Sequence, residues 1–261
     1  MFNYNLVIIG TGIRTVGQLT TESIAWMKKA EKLYYVVGDP IGEEVIKELN
    51  PKGAQTLTDL YGEGKDRIDT YNEMIATIMK SVREGHMTVG AFYGHPGVFA
   101  YPSHESVRIA KEEGYKAVML PGISAEDCLF ADLGVDPAKS GCQSYEATDF
   151  LANSRIIDNS SQVILWQIGV LGDWTFKKTA YDTSAMPLLV EKLCTYYPPE
   201  HLVTIYEASI FIGFDPIVKK VPIYQLPYSA LNSASTLYIP PCRETVPDPR
   251  YVFRMKMPVA K

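Results

Sequence analysis

The sequence contains few cysteines and histidines, and neither kind is grouped. It has no C-x-x-C pair, no H-E-x-x-H motif and no spacing typical of a zinc site. The cysteines are Cys128, Cys142, Cys194 and Cys242, and the histidines are His86, His95, His104 and His201. We therefore expect no metal cofactor and no disulfide scaffold. Cysteines this sparse in a chain of 261 residues favour a reducing compartment.

Long apolar runs and an excess of positive charge are also absent. No stretch approaches the roughly 18 consecutive apolar residues of a membrane span, and residues 1–5 lack the basic charge of a secretory signal. The 25 Lys and Arg residues are outnumbered by 30 Asp and Glu residues, so the net charge is −5. This balance disfavours nucleic-acid binding, which requires a basic surface. We expect a cytoplasmic protein that binds neither membranes nor nucleic acid.

The composition that remains is typical of a folded globular chain. Apolar residues make up 46% of the sequence and charged residues 21%. The length allows one or two domains with a sizeable core. Tyrosine, with 17 residues, outnumbers phenylalanine, with 9. Because a buried phenol needs a hydrogen-bond partner, this surplus predicts polar roles for some of the tyrosines.

Predicted strands and helices alternate in the first half of the chain, which indicates a mostly parallel α/β sheet over residues 1–135. The second half, 136–261, has more strands for each helix and reads as an α+β domain with mixed pairing, joined by a linker around 134–145. The predicted strands are 6–9, 33–37, 87–92, 116–120, 163–168, 202–208, 216–226 and 236–239. The predicted helices are 21–30, 43–49, 103–113, 124–133, 186–195 and a longer one that Asp66 caps, with an apolar face from Ile68 to Val82.

Three glycine-bearing loops follow predicted strands of the first domain, at residues 10–12, 93–99 and 121–125. Ligands of open α/β sheets bind beyond the carboxyl ends of the strands, so three such loops at one edge favour a ligand site. Tight turns that need positive φ are the alternative for each loop alone. The first loop fails the dinucleotide pattern G-x-G-x-x-G because Thr15 replaces the third glycine, although Asp39 could still hold a ribose.

The motifs in these loops resemble the tetrapyrrole methylase superfamily, whose porphyrin-type members carry G-G-D-P in the second loop. This chain departs from that pattern and is similar instead to the borosin peptide backbone α-N-methyltransferases. The segments that carry this resemblance are Tyr93–Phe99 (YGHPGVF), Pro121–Glu126 (PGISAE), Ala131–Pro137 (ADLGVDP) and Gln143–Ala147 (QSYEA). Further similar segments at 165–168, 205–208 and 235–237 extend the resemblance over nearly the whole chain.

The resemblance implies a fold, a cofactor and a set of cofactor contacts. The implied fold is that of class III S-adenosylmethionine methyltransferases, with two α/β domains and the cofactor in the cleft between them. The implied cofactor is S-adenosylmethionine (SAM), with S-adenosylhomocysteine as product. Its implied contacts are Tyr93, His95, Val98, Phe99, Ala100, Ser124, Ala125, Gln167, Ala208 and Thr236. For Ser124 a plain helix N-cap, and for His95 a bond to the backbone, are alternative roles.

Methylation of a backbone amide nitrogen needs a base and stabilisation of the carbonyl oxygen, because the nitrogen lone pair is delocalised into the carbonyl. Arg67 and Tyr71 are four residues apart and share one face of the predicted helix. We expect the guanidinium and the sulfonium of SAM each to lower the phenol pKa from its usual value of about 10. By resemblance, Tyr71 is the general base, Arg67 stabilises the oxygen and Tyr61 orients the amide. From periodicity alone, Tyr71 is a core residue and Arg67 a solvated one.

The resemblance also implies a peptide substrate and a homodimer. Fungal members carry their substrate as a C-terminal extension, whereas this sequence ends at Lys261, so we expect a separate precursor peptide that is methylated repeatedly in trans. Two enzyme chains and two precursors would then form a heterotetramer. The alternatives are a SAM-dependent methylase of a tetrapyrrole or other small molecule, a non-catalytic SAM-binding protein and, least favoured, an NAD enzyme.

Overall fold

The computed structural model describes residues 4–256, which form two compact units. Unit 1 contains the chain up to Val135 together with Asp173–Tyr181 and Glu207–Ile217. Unit 2 contains Asp136–Gly172, Asp182–Tyr206 and the chain from Val218 onward. The expected second domain was one continuous stretch, 136–261, and the structure differs because two of its segments belong to unit 1. Residues 257–261, which the prediction assigned to the second domain, lie outside the described part of the chain.

Unit 1 is built on a five-stranded, fully parallel sheet, as the alternation of strands and helices predicted. Its strands are β1 (Leu6–Gly10), β2 (Lys32–Val36), β3 (Ala54–Thr56), β4 (Thr88–Phe92) and β5 (Ala117–Met119). Their order across the sheet is β3-β2-β4-β1-β5, so the two central strands are the continuously buried β4 and β1. All pairs are parallel, which places the carboxyl ends of β1, β4 and β5 at one edge.

Helices cover both faces of this sheet, and three of them begin at side-chain caps. The helices of unit 1 are α1 (Thr15–Gln18), α2 (Thr21–Lys29), α3 (Pro40–Leu49), α4 (Arg67–Arg83), α5 (Tyr101–Glu112) and α6 (Ala125–Leu133). The Thr20 hydroxyl accepts from Ser23 N at 3.0 Å, and Asp39 Oδ1 accepts from Gly42 N at 2.7 Å. No helix among residues 4–256 is long and apolar enough to cross a membrane.

Helix α4 packs its apolar stripe onto the sheet and carries two of the candidate residues. Met74, Ile78 and Val82 are fully buried, as the helical spacing predicted. Ile68 was placed on the same face but is 50% exposed in the first turn of the helix. The expected cap by Asp66 is also wrong, since its side chain makes no capping hydrogen bond.

Unit 2 holds a mixed sheet, as predicted. Its strands are β6 (Cys142–Glu146), β7 (Gln162–Trp166), β8 (Leu202–Glu207), β9 (Ile217–Pro222) and β10 (Thr236–Ile239), and its helices are α7 (Pro137–Ser140), α8 (Ala147–Ala152), α9 (Met186–Leu193) and α10 (Pro249–Arg254). The order is β6-β7-β10-β8-β9, with β6 parallel to β7 and with β10 antiparallel to both β7 and β8. Short 3₁₀ helices lie at Thr58–Leu60 in unit 1 and at Ile168–Val170 and Ile223–Tyr228 in unit 2.

Three local expectations for the elements are corrected. The linker placed at 134–145 contains α7 and most of β6, whose edge position tolerates the polar residues of Cys142–Glu146. The strand expected over 216–226 ends at Pro222 and continues as a 3₁₀ helix, because a proline cannot donate to a sheet ladder. The short strand β3 was not predicted, since three residues carry too little periodicity.

The carboxyl ends of β1, β4 and β5 meet through glycines. A Cβ atom on Gly10 would lie 2.4 Å from the Gly94 carbonyl oxygen and 2.8 Å from Pro96 Cδ. A Cβ on Gly122 would lie 2.9 Å from both Gly10 Cα and the Gly94 oxygen. Backbone atoms cannot move aside as a flexible side chain can, so only glycine fits at these two positions.

We therefore expect Gly10→Ala to destabilise the protein by about 1–3 kcal/mol through overpacking. The measurement is the free energy of unfolding in urea. Gly62→Ala is the matched control, because its Cβ would meet only Lys65 side-chain atoms at 3.6 Å or more. Equal stabilities of Gly10→Ala and the unsubstituted protein would show that the three loops do not pack as described.

Candidate active site

Two phenols and a guanidinium come together at the start of α4. The Tyr61 and Tyr71 hydroxyls are hydrogen-bonded to each other, and the positive charge of Arg67 acts on both. Tyr61 precedes the helix, whereas Arg67 and Tyr71 are one turn apart on it. Both tyrosines are half-buried and pack against the core beneath α4. The structure thus brings together the three residues singled out from the sequence as a catalytic set.

Burial dominates the ionisation of this pair. Burial raises the pKa of Tyr71 above that of a free phenol, and the Arg67 charge and the hydrogen bond from Tyr61 lower it only in part. The expected lowering by Arg67 is therefore present, but burial has the larger effect, so the pKa of Tyr71 is raised in the protein alone. Burial likewise raises the pKa of Tyr61, and so does its hydrogen bond with Tyr71. Their hydrogen bond raises the pKa of Tyr61 and lowers that of Tyr71, so Tyr61 is the donor and Tyr71 is the phenol that ionises first.

A segment distant in sequence, Asp173–Tyr181, holds the start of α4 in place, and we call it the strap. Trp174 O accepts a hydrogen bond from Arg67 N at 3.0 Å, and Phe176 O accepts one from Gly64 N at 2.8 Å. Phe176 N donates to Lys65 O at 2.9 Å. The Trp174 carbonyl of the strap therefore accepts a hydrogen bond from an N–H at the start of α4. The Asp66 side chain, at the N-cap position, makes no capping hydrogen bond.

Aromatic side chains surround the cluster. The Phe176 ring lies 4.8 Å from the Tyr61 ring, and the Tyr181 ring lies 5.3 Å from Arg67 Cζ. The Tyr101 ring lies 6.3 Å from the Tyr71 ring. Tyr101 begins α5 directly after Ala100, so the cluster adjoins the end of the second glycine loop.

The first glycine loop has no free backbone donors for a phosphate. Thr11 N donates to Phe92 O and Gly12 N to Gly94 O, while the N–H groups of Ile13 and Arg14 both donate to Gln18 Oε1, at 2.7 and 2.9 Å. A dinucleotide cradle requires such N–H groups to face the ligand. Asp39, which the NAD alternative placed on a ribose, is 6% exposed and caps α3 instead. The geometry argues against a nicotinamide cofactor.

The second loop presents apolar side chains beside one hydrogen-bond donor. Val98 and Phe99 are 39% and 52% exposed, and Phe99 has a left-handed φ of 51°. His95 Nδ1 accepts from Gly97 N at 2.9 Å, so the bond to the backbone expected as an alternative is formed. That bond leaves the proton on Nε2, which makes the other ring nitrogen a donor. Tyr93 borders the same loop, and burial raises its pKa to about 12.

The third loop runs into α6 through a capping box. Ser124 Oγ accepts from Asp127 N at 3.2 Å and donates to Asp127 Oδ2 at 2.8 Å. The same carboxylate oxygen accepts from Ser124 N at 2.7 Å. The side chain of Ser124 is therefore a helix cap, which was one of its two expected roles. Ala125, the other residue of this loop in the implied cofactor set, forms the first turn of α6 and is half-buried.

The remaining residues implied as cofactor contacts lie elsewhere in the chain. Ala208 is half-buried in the Glu207–Ile217 segment of unit 1. Gln167 and Thr236 belong to unit 2, where Gln167 follows β7 with a left-handed φ of 60° and Thr236 begins the neighbouring strand β10. A non-glycine residue in this conformation marks a constrained position. Gln167 and Thr236 thus belong to a different unit from the three glycine loops.

Neither a metal centre nor a disulfide is seen in the described part of the chain. Within residues 4–256, no group of three or more His, Cys, Asp or Glu side chains could hold a metal ion. None of the four cysteines, all of which lie in this range, forms a disulfide. Sequence reasoning missed the strap, including Tyr181, because nothing in the local pattern links residues 173–181 to a helix more than a hundred positions earlier. The signal available was the aromatic cluster Trp174, Phe176 and Tyr181 in a glycine- and lysine-containing loop.

Comparison with known proteins gives a family and several relatives. The profile of the family described as Tetrapyrrole (Corrin/Porphyrin) Methylases matches residues 5–210. The chain is 44% identical over 241 residues to the methyltransferase/ribosomally synthesized cyclic peptide dendrothelin A precursor of Dendrothele bispora and, over the same length, to the omphalotin A precursor of Omphalotus olearius. It is 42% identical to a methyltransferase/ribosomally synthesized type I borosin cyclic peptide precursor of Coprinopsis marcescibilis.

The alignments cover nearly all of this chain but only about 60% of the length of each of these relatives. They include 91% of this chain and 58% of each of the first two proteins, and 90% and 62% for the third. Among solved structures, a cobalt precorrin-4 methyltransferase and the uroporphyrin-III C-methyltransferase of Thermus thermophilus each give a TM-score of 0.65, with 90% of this chain and 94% of the other covered. Their identities of 13% and 17% show the shared fold alone, and the expected tetrapyrrole-methylase-like fold is confirmed.

The electrostatics of the cluster predict how Tyr71 titrates. In the free protein its phenol should ionise above the range of an ordinary tyrosine, and Arg67→Gln should raise its pKa further because the favourable charge is lost. The measurement is ¹³C NMR of tyrosines labelled at Cζ, with the Tyr71 signal identified by its loss in Tyr71→Phe. Arg108→Gln, which removes a guanidinium paired with Glu105 and Glu112 on α5, is the control. A Tyr71 pKa unchanged by Arg67→Gln would contradict the described cluster.

Proposed function

Because this chain belongs to the tetrapyrrole methylase family, we propose that it is a SAM-dependent methyltransferase acting on backbone amides of a ribosomally made peptide. The single observation that carries this proposal is the Tyr61–Tyr71–Arg67 cluster. The cluster contains Tyr71, whose phenolate form can accept a proton, and Tyr61, whose hydroxyl donates a hydrogen bond to it. It also contains the Arg67 guanidinium, a cation that can stabilise negative charge. Amide N-methylation needs these groups, because the amide proton must leave while charge develops on the carbonyl oxygen.

The residues of the second loop fit the proposed cofactor. A flat purine ring suits the exposed apolar side chains of Val98 and Phe99, and the donor nitrogen of His95 suits a polar atom of the ligand. When bound, SAM supplies an electrophilic methyl group. We propose that Tyr93, His95 and residues 98–100 hold it together with Ala125 and Ala208. For Gln167 and Thr236 the cofactor contact implied by the resemblance stays a prediction. Ser124 would act through the helix it caps.

The three residues of the cluster then have distinct roles. Tyr71 accepts the proton of the substrate amide on its phenolate oxygen. Arg67 holds the carbonyl oxygen of the same amide, where negative charge grows as nitrogen loses its proton. Tyr61 donates its hydroxyl hydrogen bond to Tyr71 and so favours the phenolate. Because burial disfavours that phenolate, the positive charges near it decide how much base is present.

The names of the relatives support a peptide as the substrate. These proteins are described as methyltransferases joined to ribosomally synthesized cyclic peptide precursors, one of them a type I borosin. We propose that this chain accepts the precursor as a separate molecule, methylates it repeatedly and works as a homodimer that binds two precursors. A peptide added in trans tests the first of these points, and light scattering with and without peptide tests the assembly.

A tetrapyrrole is the second candidate substrate. The family description and the solved structures named after precorrin-4 and uroporphyrin-III favour it. Those structures share the fold at low identity, whereas the relatives at 42–44% identity are named for peptides. Incubation with uroporphyrin-III instead of peptide separates the two candidates.

We expect Tyr71→Phe to abolish methylation while cofactor binding persists, since the variant loses only the hydroxyl that accepts the proton. Methylation is measured by tandem mass spectrometry on a mixed library of synthetic linear peptides, and binding by calorimetry with SAM and, for comparison, NAD. Tyr115→Phe is the control, because Tyr115 packs against the same core as Tyr71 but lies outside the cluster. Full activity of Tyr71→Phe, or methylation of uroporphyrin-III alone, would contradict the proposal.

A further inference from the structure

The guanidinium of Arg67 is held by an aromatic ring rather than by a carboxylate. Its Cζ lies 5.3 Å from the centroid of the Tyr181 ring, within the range of a cation–π contact. The charge of Arg67 also lowers the pKa of the Asp173 carboxyl, but no ion pair within residues 4–256 joins Arg67 to a carboxylate. A carboxylate partner would neutralise the guanidinium, whereas an aromatic face orients it and leaves its charge and N–H donors available.

Tyr181 is itself fixed by the strap. Its hydroxyl oxygen accepts a hydrogen bond from Lys177 N at 3.0 Å, which closes a turn within residues 177–181. At the other end of the strap, Trp174 O accepts from Arg67 N, and Thr175 pairs with Asp66 in an antiparallel bridge. The strap therefore holds both the backbone of Arg67 and its side chain.

We propose that Tyr181 is a positioning residue that fixes the Arg67 guanidinium in the orientation required to stabilise the substrate oxygen. The proposal rests on the function proposed above and adds a residue that neither the sequence motifs nor the relatives assign. The ring face does not contact the reacting atoms in this scheme and acts through Arg67, while the Tyr181 phenol also raises the pKa of Tyr61 and Tyr71. Its hydroxyl is occupied by Lys177 N, so the face of the ring, not the phenol oxygen, meets the guanidinium.

The size of the effect follows from the strength of such contacts. A cation–π pair contributes about 0.5–2 kcal/mol, depending on its exposure, which corresponds to roughly a 2- to 30-fold change in rate if it is lost in the transition state. Because Arg67 is proposed to act on developing charge, the loss should fall on kcat, and the KM for peptide should change by less than about twofold.

The test compares Tyr181→Leu, which removes the aromatic face, with Tyr181→Phe, which keeps it. Tyr181→Leu should lower kcat within the range above, and Tyr181→Phe should restore most of the loss. In an Arg67→Gln background, Tyr181→Leu and Tyr181→Phe should have equal kcat, since both lack the hydroxyl and a ring face that acts through Arg67 cannot act without it. Tyr251→Leu is the matched control: it removes a ring 5.6 Å from Arg250 on the exposed helix α10.

A second series keeps the test valid if Tyr181→Leu fails to fold. Incorporation of phenylalanines with one to four ring fluorines at position 181 preserves the shape and weakens the attraction of the face for a cation. The logarithm of kcat should fall steadily with fluorination. An unchanged kcat along this series, or an equal loss with and without Arg67, would overturn the proposal. If the unsubstituted protein methylates no peptide, the proposed function fails instead, so the two failures are distinguishable.

Discussion

The burial of two hydrogen-bonded phenols beside one guanidinium is the constraint on which the rest of this structure depends. Removing a phenol from water disfavours its ionised form, and here burial outweighs the nearby positive charge for both Tyr61 and Tyr71. The pair is therefore neutral in the protein alone and responsive to added positive charge. Under the proposed function, a positively charged cofactor beside the pair would favour the phenolate that accepts the proton.

The fold supports this pair from three directions. Helix α4 places Arg67 and Tyr71 on one face and anchors them through the buried residues of its later turns. The strap completes the helix terminus with a backbone carbonyl and brings Phe176 and Tyr181 against Tyr61 and Arg67. The second glycine loop leads directly into α5, whose first residue, Tyr101, lies against Tyr71. Close packing of glycines at the ends of β1, β4 and β5 fixes where that loop can run.

Local patterns in the sequence predicted the elements that depend on local physics. Apolar spacing located the helix from Arg67 to Arg83, and apolar runs located the central strands β1 and β4. The surplus of tyrosine also has a structural counterpart, since the Tyr35 hydroxyl donates to Glu43 at 3.0 Å and the Tyr196 hydroxyl to Arg155 O at 3.1 Å. The roles proposed for Tyr61, Arg67 and Tyr71 came from a resemblance, because periodicity alone makes Tyr71 a core residue.

What the sequence could not predict depends on contacts between distant segments. The strap joins unit 1 through hydrogen bonds between residues 64–67 and 174–176, and no local rule anticipates that pairing. The lowering of the Tyr71 pKa by Arg67 was predicted, but the larger effect of burial was not, because a sequence shows the neighbouring Arg67 and not the degree of burial. The edge strand β6 was missed since its polar residues resemble a linker.

The central claim is that the Tyr71 phenolate accepts the amide proton, and the pH dependence of a single turnover tests it most directly. The enzyme and SAM are held in excess over peptide so that chemistry, not product release, is observed. Because burial raises the pKa of Tyr71, the account predicts a rate that rises about tenfold for each pH unit through the neutral range. A rate independent of pH, or the same rise in Tyr71→Phe, would contradict it.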